Sequence, residues 1–206
     1  MSTVPNTSAG KRERTKAANR QAILDAATDV FAELGYGAAT VRDIVRRTDL
    51  ATGTFYNYFP DKESVLRALL DEVTGEVRVR VRAARLRGES AEEFIANGFR
   101  AYYEFLAEDR RLFSVLQRNA GTIRAMFDEP VLGAGTDDLA EDIRTGIAAG
   151  HLPEVDADAL AVAMMGAGFE VGVRMLQGDP PDVDAAVEFI SALFIGGLQE
   201  LGRRAD

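Results

Sequence analysis

The 206-residue chain has no cysteine and a single histidine. The sequence therefore excludes disulfide bonds, thiolate catalysis and cysteine-based zinc sites. The longest uncharged apolar run, residues 159–169, is shorter than the roughly 18 residues that a membrane-spanning helix needs. The first ten residues are polar and lack the apolar stretch of a signal peptide. We therefore expect a cytoplasmic protein that has no membrane partner and needs no metal or other cofactor.

Lysine is scarce, and all three lysines (Lys11, Lys16 and Lys62) lie in the first 62 residues. That segment carries nine basic against seven acidic residues, whereas residues 63–206 carry fifteen against twenty-six. The net charges are +2 and −11 in a chain whose total is −9. Because binding to nucleic acid needs cations that neutralise phosphates, the split predicts that only the N-terminal segment meets a polyanion.

Apolar residues recur at helical spacing along nearly the whole chain, and the one alternating stretch, residues 77–81, lies inside a longer helical pattern. Helix starts are indicated by the capping residues Thr40, Asp61, Ser90 and Asp156. The prediction is an all-α fold of about nine helices. The first helix is expected to begin near residue 20, and another near Thr136, after a break at Pro130, Gly133 and Gly135.

Two short predicted helices lie between Thr40 and Phe59 and are joined by a tight link at residues 49–50. This is the spacing of a helix-turn-helix, whose second helix enters the DNA major groove. In that second helix Phe55 and Phe59 are four residues apart and can both face the core beside Ile44. The alternative is a short aromatic helix that only packs.

The other side chains of this second helix form hydrogen bonds but carry no charge: Thr52, Thr54, Tyr56, Asn57 and Tyr58. Hydroxyl groups suit phosphate oxygens, and asparagine can pair with the edge of adenine. Gly53 costs the helix about 1 kcal/mol relative to alanine. Its presence is explained if the backbone must approach a phosphate closely.

Residues 37–44 (GAATVRDI) and 53–63 (GTFYNYFPDKE) resemble the DNA-binding domain of TetR-family repressors. The preceding stretch, residues 23–36, is similar to the first helix of that family, so the resemblance covers roughly residues 20–70. It implies a helix-turn-helix domain followed by a helical domain that binds an effector and forms a homodimer. The parts expected are a flexible basic arm (1–19), the DNA-binding domain (20–66) and the effector and dimerisation domain (67–206).

The resemblance also implies roles for individual residues. Those expected at DNA are Thr40, Arg42, Thr52, Gly53, Thr54, Tyr56, Asn57, Tyr58 and Lys62. Two departures from the family pattern stand out. Asp49 occupies a turn position where the family often has glycine, and aspartate tolerates that backbone conformation. Ala51 and Thr52 stand where the family often has a capping serine and a lysine, so the helix lacks a strong cap and one cation.

Basic residues precede the first predicted helix: Lys11, Arg12, Arg14, Lys16 and Arg20. One interpretation is an arm that adds salt-dependent contacts to DNA. The other is a solvated tail that only improves solubility.

The last two helices suit a dimer interface because their small residues let helices approach closely. The expected interface residues are Gly168, Gly172, Phe189, Ala192, Phe194 and Gly196. Packing within one chain is the alternative, and Phe194 could serve either purpose.

The middle helices concentrate large aromatic and methionine side chains, which fill cores but can also line an apolar ligand cavity. The residues expected at the ligand are Phe99, Tyr103, Phe113, Leu116, Gln117, Asn119, Met126, Met165 and Phe169. The content of phenylalanine and methionine favours an apolar or amphipathic effector.

An enzyme is the competing class, since Asp137, Asp138, Glu141 and Asp142 could form an acid–base or metal cluster. Acidic residues in the first turns of a helix are explained by the helix dipole, and His151 reads as an exposed loop residue. We therefore predict no enzyme. The resemblance implies instead a homodimeric repressor, released from a palindromic double-stranded operator by a small-molecule effector. A helical interaction or ligand-binding protein without DNA regulation is the alternative.

Overall fold

The computed structural model describes residues 7–126 and 130–205, which form nine helices and no strand. The all-α prediction is therefore confirmed. The helices are α1 (Thr7–Leu34), α2 (Val41–Val45), α3 (Thr52–Tyr56), α4 (Lys62–Arg85), α5 (Ala91–Glu108), α6 (Arg110–Arg124), α7 (Pro130–Ala148), α8 (Ala157–Met175) and α9 (Val183–Ala205). The chain divides into two compact units, Met1–Leu69 and Leu70–Asp206, and α4 contributes residues to both.

The first unit is built on one apolar face of α1. Its buried side chains are Ile23, Leu24, Val30, Phe31, Ile44, Phe55, Phe59, Val65 and Leu66. Helix α1 ends at Gly35, whose φ of 76° is accessible to glycine without strain and whose N–H donates to the Phe31 carbonyl at 3.2 Å. This stop turns the chain so that α2 packs against α1, and α3 packs in turn against α2.

Helix α1 begins much earlier than the sequence pattern predicts. The segment expected to be a flexible arm up to residue 19 is helical from Thr7 onward. Its alanine, lysine, arginine, glutamate and glutamine residues are strong helix formers, and no proline interrupts them. The apolar periodicity starts only at Ile23 because residues 10–18 are exposed, so a search based on that periodicity misses the first turns.

The second unit packs α5 against α9 and α7 against α8, while α8 also contacts α9. Four helices of this unit begin at side-chain caps, because Ser90, Asp109, Asp156 and Asp182 accept hydrogen bonds from backbone N–H groups in the first turns of α5, α6, α8 and α9. The largest fully buried side chains of this unit are Tyr103, Ile95, Ile123, Ile143, Leu176 and Ile190.

Helix α7 also starts earlier than predicted, at Pro130 rather than near Thr136. Pro130, Gly133 and Gly135 predict a break in the sequence, but proline suits the first turn of a helix, where its missing N–H would have no partner. Gly135 faces α8, and a Cβ atom there would lie 3.6 Å from the Met165 Cε atom. The glycine therefore sits at a close contact between helices rather than at a helix end.

Candidate DNA-binding surface and ligand cavity

The start of α2 is fixed by a reciprocal cap between Thr40 and Asp43. The Asp43 N–H donates to Thr40 Oγ1 at 3.2 Å, while the Thr40 N–H and hydroxyl donate to Asp43 Oδ2 at 3.0 and 2.5 Å. The hydrogen bonds from the Thr40 hydroxyl and N–H lower the pKa of the Asp43 carboxyl below its usual value. Arg42, the second residue of this helix, is exposed.

Helix α3 presents a polar surface because its two phenylalanines are taken into the core. The rings of Phe55 and Phe59 lie 6.2 Å apart, and both side chains are buried, as is Ile44. The exposed positions are Thr52, Gly53, Tyr56 and Asn57, whereas Thr54 and Tyr58 are half-buried. Ala51 at the N-cap makes no side-chain cap, so the first N–H groups of α3 have no side-chain acceptor from that residue.

Gly53 is not required by the fold of the described residues. A Cβ atom built at this position would meet nothing within 4 Å, and its φ lies outside the left-handed region. Alanine would fit there and would favour the helix. The described residues therefore give no packing or backbone reason for a glycine at position 53.

Asn19 of α1 contacts the expected DNA-binding surface, although it is not among the residues predicted at DNA. Its Nδ2 atom donates to the Tyr58 hydroxyl oxygen at 3.2 Å. Asn19 lies one residue before the expected start of the first helix, and the pattern of apolar residues gives no signal for it. The helical continuation of α1 is what brings it to Tyr58.

The ammonium group of Lys62 is hydrogen-bonded within the first unit. Its Nζ atom donates to the Tyr36 and Ala39 carbonyls at 2.7 and 2.8 Å and lies 4.5 Å from the centre of the Tyr36 ring. These contacts hold the turn between α1 and α2. A phosphate at this position would share the ammonium group with two carbonyl oxygens.

The basic residues of α1 lie on its N-terminal turns. Lys11, Arg12, Arg14 and Lys16 are exposed, and the Arg20 guanidinium lies 5.6 Å from the centre of the Phe59 ring. The N-terminal turns of α1 therefore carry four exposed cations.

The second unit contains an apolar cavity of about 160 Å³, lined by residues of α4, α5, α6, α7 and α8. Four of the residues expected at a ligand line it: Phe99, Leu116, Met165 and Phe169. Further apolar lining residues include Val73, Val77, Val81, Phe105, Leu106 and Met164. The cavity is thus suited to an aliphatic or aromatic group.

The other expected ligand residues do not line this cavity in the part of the chain that the structure describes. The Tyr103 hydroxyl donates to the Gly168 carbonyl at 3.2 Å, and burial raises the pKa of this tyrosine. The Asn119 amide donates to the Val115 carbonyl at 2.7 Å, so the polar groups of Tyr103 and Asn119 are both hydrogen-bonded to the backbone. Gln117 is exposed, Met126 is half-buried, and the Phe113 side chain lies outside the described residues.

Charged residues at the edge of the cavity were not predicted as ligand residues. Arg78 Nε and Nη2 donate to Asp138 Oδ2 at 3.0 and 2.8 Å, and both residues line the cavity. Arg85 also lines it, but this side chain is buried and is paired through its Nε atom with Asp142 at 3.1 Å. The signal in the sequence is an arginine pattern on α4 that matches the spacing of Asp138 and Asp142 on α7.

These pairs also explain the acidic residues of α7, which lie in the middle of the helix and not in its first turn, so the helix dipole does not account for them. Asp138 and Asp142 bind arginines of α4, and no group of three metal-ligating side chains occurs among the described residues. Asp137 is exposed, and Glu141 pairs with Arg144 on the same helix at 3.4 Å.

The expected dimer residues divide into two groups. Gly168 and Gly172 are buried within one chain, where a Cβ atom would lie 2.8 Å from Phe99 Cε1 and 3.0 Å from Leu106 Cδ1. Phe194 stacks on Phe99 with ring centres 5.9 Å apart, so the structure gives all three a role in packing within the subunit. In contrast, Phe189, Ala192 and Gly196 are exposed on α9.

The exposed side of α9 is strongly apolar. Phe189 is 61% exposed, Leu193 54% and Leu201 48%, and they recur at helical spacing. The stretch Val183–Arg203 is long and apolar enough to cross a membrane by length and composition alone, and 28% of its most apolar window is buried. This face lacks a partner among the described residues of the second unit.

Comparison with known proteins agrees with this architecture. Residues 23–69 match the bacterial regulatory proteins of the tetR family. The fatty acid metabolism regulator protein of Bacillus subtilis (strain 168) is 35% identical over 95 residues, which cover 46% of this chain and 49% of that protein. The alignment thus spans about half the length of this curated relative.

Two solved structures are similar over most of the chain. The fatty acid degradation regulator FadR from Bacillus halodurans is 30% identical, with a TM-score of 0.73 over 87% of this chain and 95% of its own. The FadR regulator from Bacillus subtilis, solved in complex with stearoyl-CoA, is 25% identical, with a TM-score of 0.70 over 84% of this chain and 97% of its own. The helix-turn-helix match, together with this similarity through the second unit, shows that the chain belongs to the tetR family of DNA-binding regulators, a family without enzymatic activity.

Proposed function

We propose that the protein is a cytoplasmic, homodimeric repressor that binds a palindromic DNA operator and is released from it by a long-chain acyl-CoA. The observation that carries this proposal is an apolar cavity in the helical body of a chain whose helix-turn-helix exposes an uncharged, hydrogen-bonding surface. The similarity to FadR regulators, one of them solved with stearoyl-CoA, supports an acyl thioester as the effector.

At the operator, α3 is proposed to lie in the major groove. Thr52, Thr54 and Asn57 would face base edges, with Gly53 allowing the backbone to come close to the DNA. Thr40, Arg42, Tyr56, Tyr58 and Lys62 would contact the sugar-phosphate backbone. The contacts that already hold Tyr58 and Lys62 support this part, because a side chain fixed in advance loses less entropy on binding.

In the second unit, the acyl chain is proposed to enter the cavity between α4, α5, α6, α7 and α8. An engineered cavity of about 150 Å³ in another protein admits benzene, so a space of about 160 Å³ holds a group of similar size. A longer chain therefore fits only if lining side chains or helices move. We propose that the moved arrangement binds DNA less tightly. A ligand that prefers this arrangement then lowers the affinity for DNA by the same factor by which DNA lowers the affinity for the ligand.

The exposed face of α9 is proposed to form the dimer. Phe189, Ala192 and Leu193 line one shallow groove on its surface, and Gly196 and Gly197 leave open space beside it. Burial of these side chains would contribute about 25 cal/mol per Å² of apolar area. A dimer also presents two α3 helices to a two-fold DNA site, as a palindromic operator requires.

The proposal is tested in two steps with the purified protein. Selection from a random DNA library should enrich a palindrome whose half-sites are about one helical turn apart. The enriched duplex is then labelled, and fluorescence anisotropy is followed during titration with acyl-CoAs of increasing chain length. Free CoA and a duplex of scrambled sequence serve as controls.

Release by acyl-CoA, but not by free CoA, is the expected result. If a palindrome is enriched but acyl-CoA does not release the protein from it, the proposed DNA-binding function stands and the acyl-CoA effector is wrong. A lack of enrichment at low salt would overturn the DNA-binding function itself.

A further inference from the structure

We infer that the ion pair between Arg78 and Asp138 determines the charge of the ligand head that the cavity accepts. It admits a neutral carbonyl group, as in a thioester or an ester, and disfavours a carboxylate. This inference rests on the proposed acyl-CoA effector, and it names the residues that distinguish the thioester from the corresponding free fatty acid.

The pair lies where a ligand head can reach it. Both residues line the cavity, and their side chains retain 37% and 28% of their exposure, so they contact solvent as well as the cavity. Arg85, the other cation of the described lining, keeps only 7% and is bound to the buried carboxylate of Asp142. Arg78 and Asp138 are therefore the charged groups at the accessible edge of the apolar space.

The hydrogen bonds within the pair leave donors for a neutral ligand. Asp138 Oδ2 accepts from Nε and Nη2 of Arg78, and a guanidinium has five N–H groups. Nη1 has no acceptor among the residues that the structure describes, so it can donate to a carbonyl oxygen while the ion pair stays intact. Thr74 and Thr136 also line the cavity, and neither carries a charge.

A carboxylate meets a different situation at this edge. The positive charge of Arg78 is already balanced by Asp138, and a second carboxylate adds a negative charge beside it. Like charges at short distance in a partly desolvated site repel strongly. The carboxylate must either accept this repulsion or displace Asp138 from Arg78, which leaves Asp138 without its partner.

A purely structural role would have different consequences. Helices α4 and α7 are also joined by the pairs of Arg82 and Arg85 with Asp142, so Arg78–Asp138 adds to an existing connection. If the pair only held the helices together, its removal would change the binding of all ligands in the same proportion. A role in selection changes the ratio between charged and neutral ligands.

The test compares decanoate, methyl decanoate and decanoyl-CoA by isothermal titration calorimetry on the full chain. Decanoate and its methyl ester differ in the charge of the head group, so their ratio of dissociation constants isolates this property. In Asp138→Asn the freed guanidinium should attract the carboxylate, and the preference for the ester should fall about tenfold. In Arg78→Gln the unbalanced Asp138 should increase that preference.

Asp137→Asn is the matched control, because it removes the same charge from the adjacent, exposed position of α7 that does not line the cavity. Its ratio should equal that of the wild type, and circular dichroism verifies that each variant is folded. The inference would be overturned if decanoyl-CoA still binds but the ratio of dissociation constants for decanoate and methyl decanoate in both Asp138→Asn and Arg78→Gln equals that of the control. If neither the ester nor decanoyl-CoA binds the wild type, the acyl effector itself is wrong, and this inference falls with it.

Discussion

Asn19 on α1 donates a hydrogen bond to the hydroxyl oxygen of Tyr58, which follows α3, over a distance of 3.2 Å. Because the Tyr58 oxygen accepts this bond, its own proton remains available to a phosphate. Asn19 thus orients a proposed DNA contact without having to touch the DNA.

We expect Asn19→Ala to weaken operator binding by about threefold to tenfold, the range for one lost hydrogen bond. The measurement is fluorescence anisotropy with the selected duplex. In a Tyr58→Phe background Asn19→Ala should have little further effect, since the hydroxyl that Asn19 orients is absent. Equal effects in both backgrounds would show that Asn19 acts independently of Tyr58.

Tyr56 and Asn57 are both exposed on the proposed DNA surface but should contribute in different ways. Tyr56→Phe removes a proposed phosphate contact and should weaken binding to all sequences by a similar factor. Asn57→Ala should cost about 1–3 kcal/mol at one base position and relax the preference there. Binding to a panel of single-base operator variants distinguishes the two patterns. Unchanged affinity in both mutants would show that α3 does not lie in the major groove as proposed.

Gly53→Ala should separate stability from function. The position is open within the subunit, so alanine should raise the free energy of unfolding by up to about 1 kcal/mol through its helix propensity. The added methyl group should weaken operator binding where the backbone approaches the DNA. Chemical denaturation and anisotropy on the same sample test both effects. A variant that is more stable and binds equally well would show that the close approach does not occur.

Lys62→Met should lower the free energy of unfolding by about 1–2 kcal/mol, because the ammonium group donates to two carbonyls of the turn between α1 and α2. Arg46→Met is the control, since it removes an exposed cation from the residue that follows α2. Denaturant unfolding should distinguish the two variants. Equal stability would mean that the contacts of Lys62 contribute nothing to the fold.

Phe189→Asp should convert the proposed dimer to a monomer, because it would place two charges in an apolar contact. Val79→Asp is the matched control, as Val79 is an apolar residue that is 73% exposed on a different helix, α4. Sedimentation velocity should show loss of the dimer only for Phe189→Asp. A wild-type monomer, or a dimer in both variants, would exclude this face of α9 as the interface.

The capping residues and the apolar stripes in the sequence are enough to predict the fold class and the starts of several helices. Thr40, Ser90 and Asp156 cap α2, α5 and α8 as expected, because a cap depends on local chemistry. The starts of α1 and α7 are not predicted, because exposed helical turns leave no apolar periodicity and Pro130 can begin a helix as well as end one.

The sites are predicted unevenly, for a related physical reason. The polar surface of α3 follows from its own sequence, once Phe55 and Phe59 are assigned to the core. The cavity is formed by five helices, so the sequence does not tell which of the predicted ligand residues face it: Phe99 and Met165 do, whereas Tyr103 and Asn119 do not. Tyr103 and Asn119 prove to bond to the backbone, whereas Arg78 and Asp138, 60 residues apart, meet at the cavity edge.

Phe99 faces the cavity and also stacks on Phe194 of α9, with a separation of 5.9 Å between the ring centres. An occupant that displaces the Phe99 ring therefore also disturbs the helix on which two subunits are proposed to meet. Effector binding and subunit association then become linked equilibria, and each shifts the other. In a cell, the sensitivity of the regulator to its effector would accordingly depend on its own abundance.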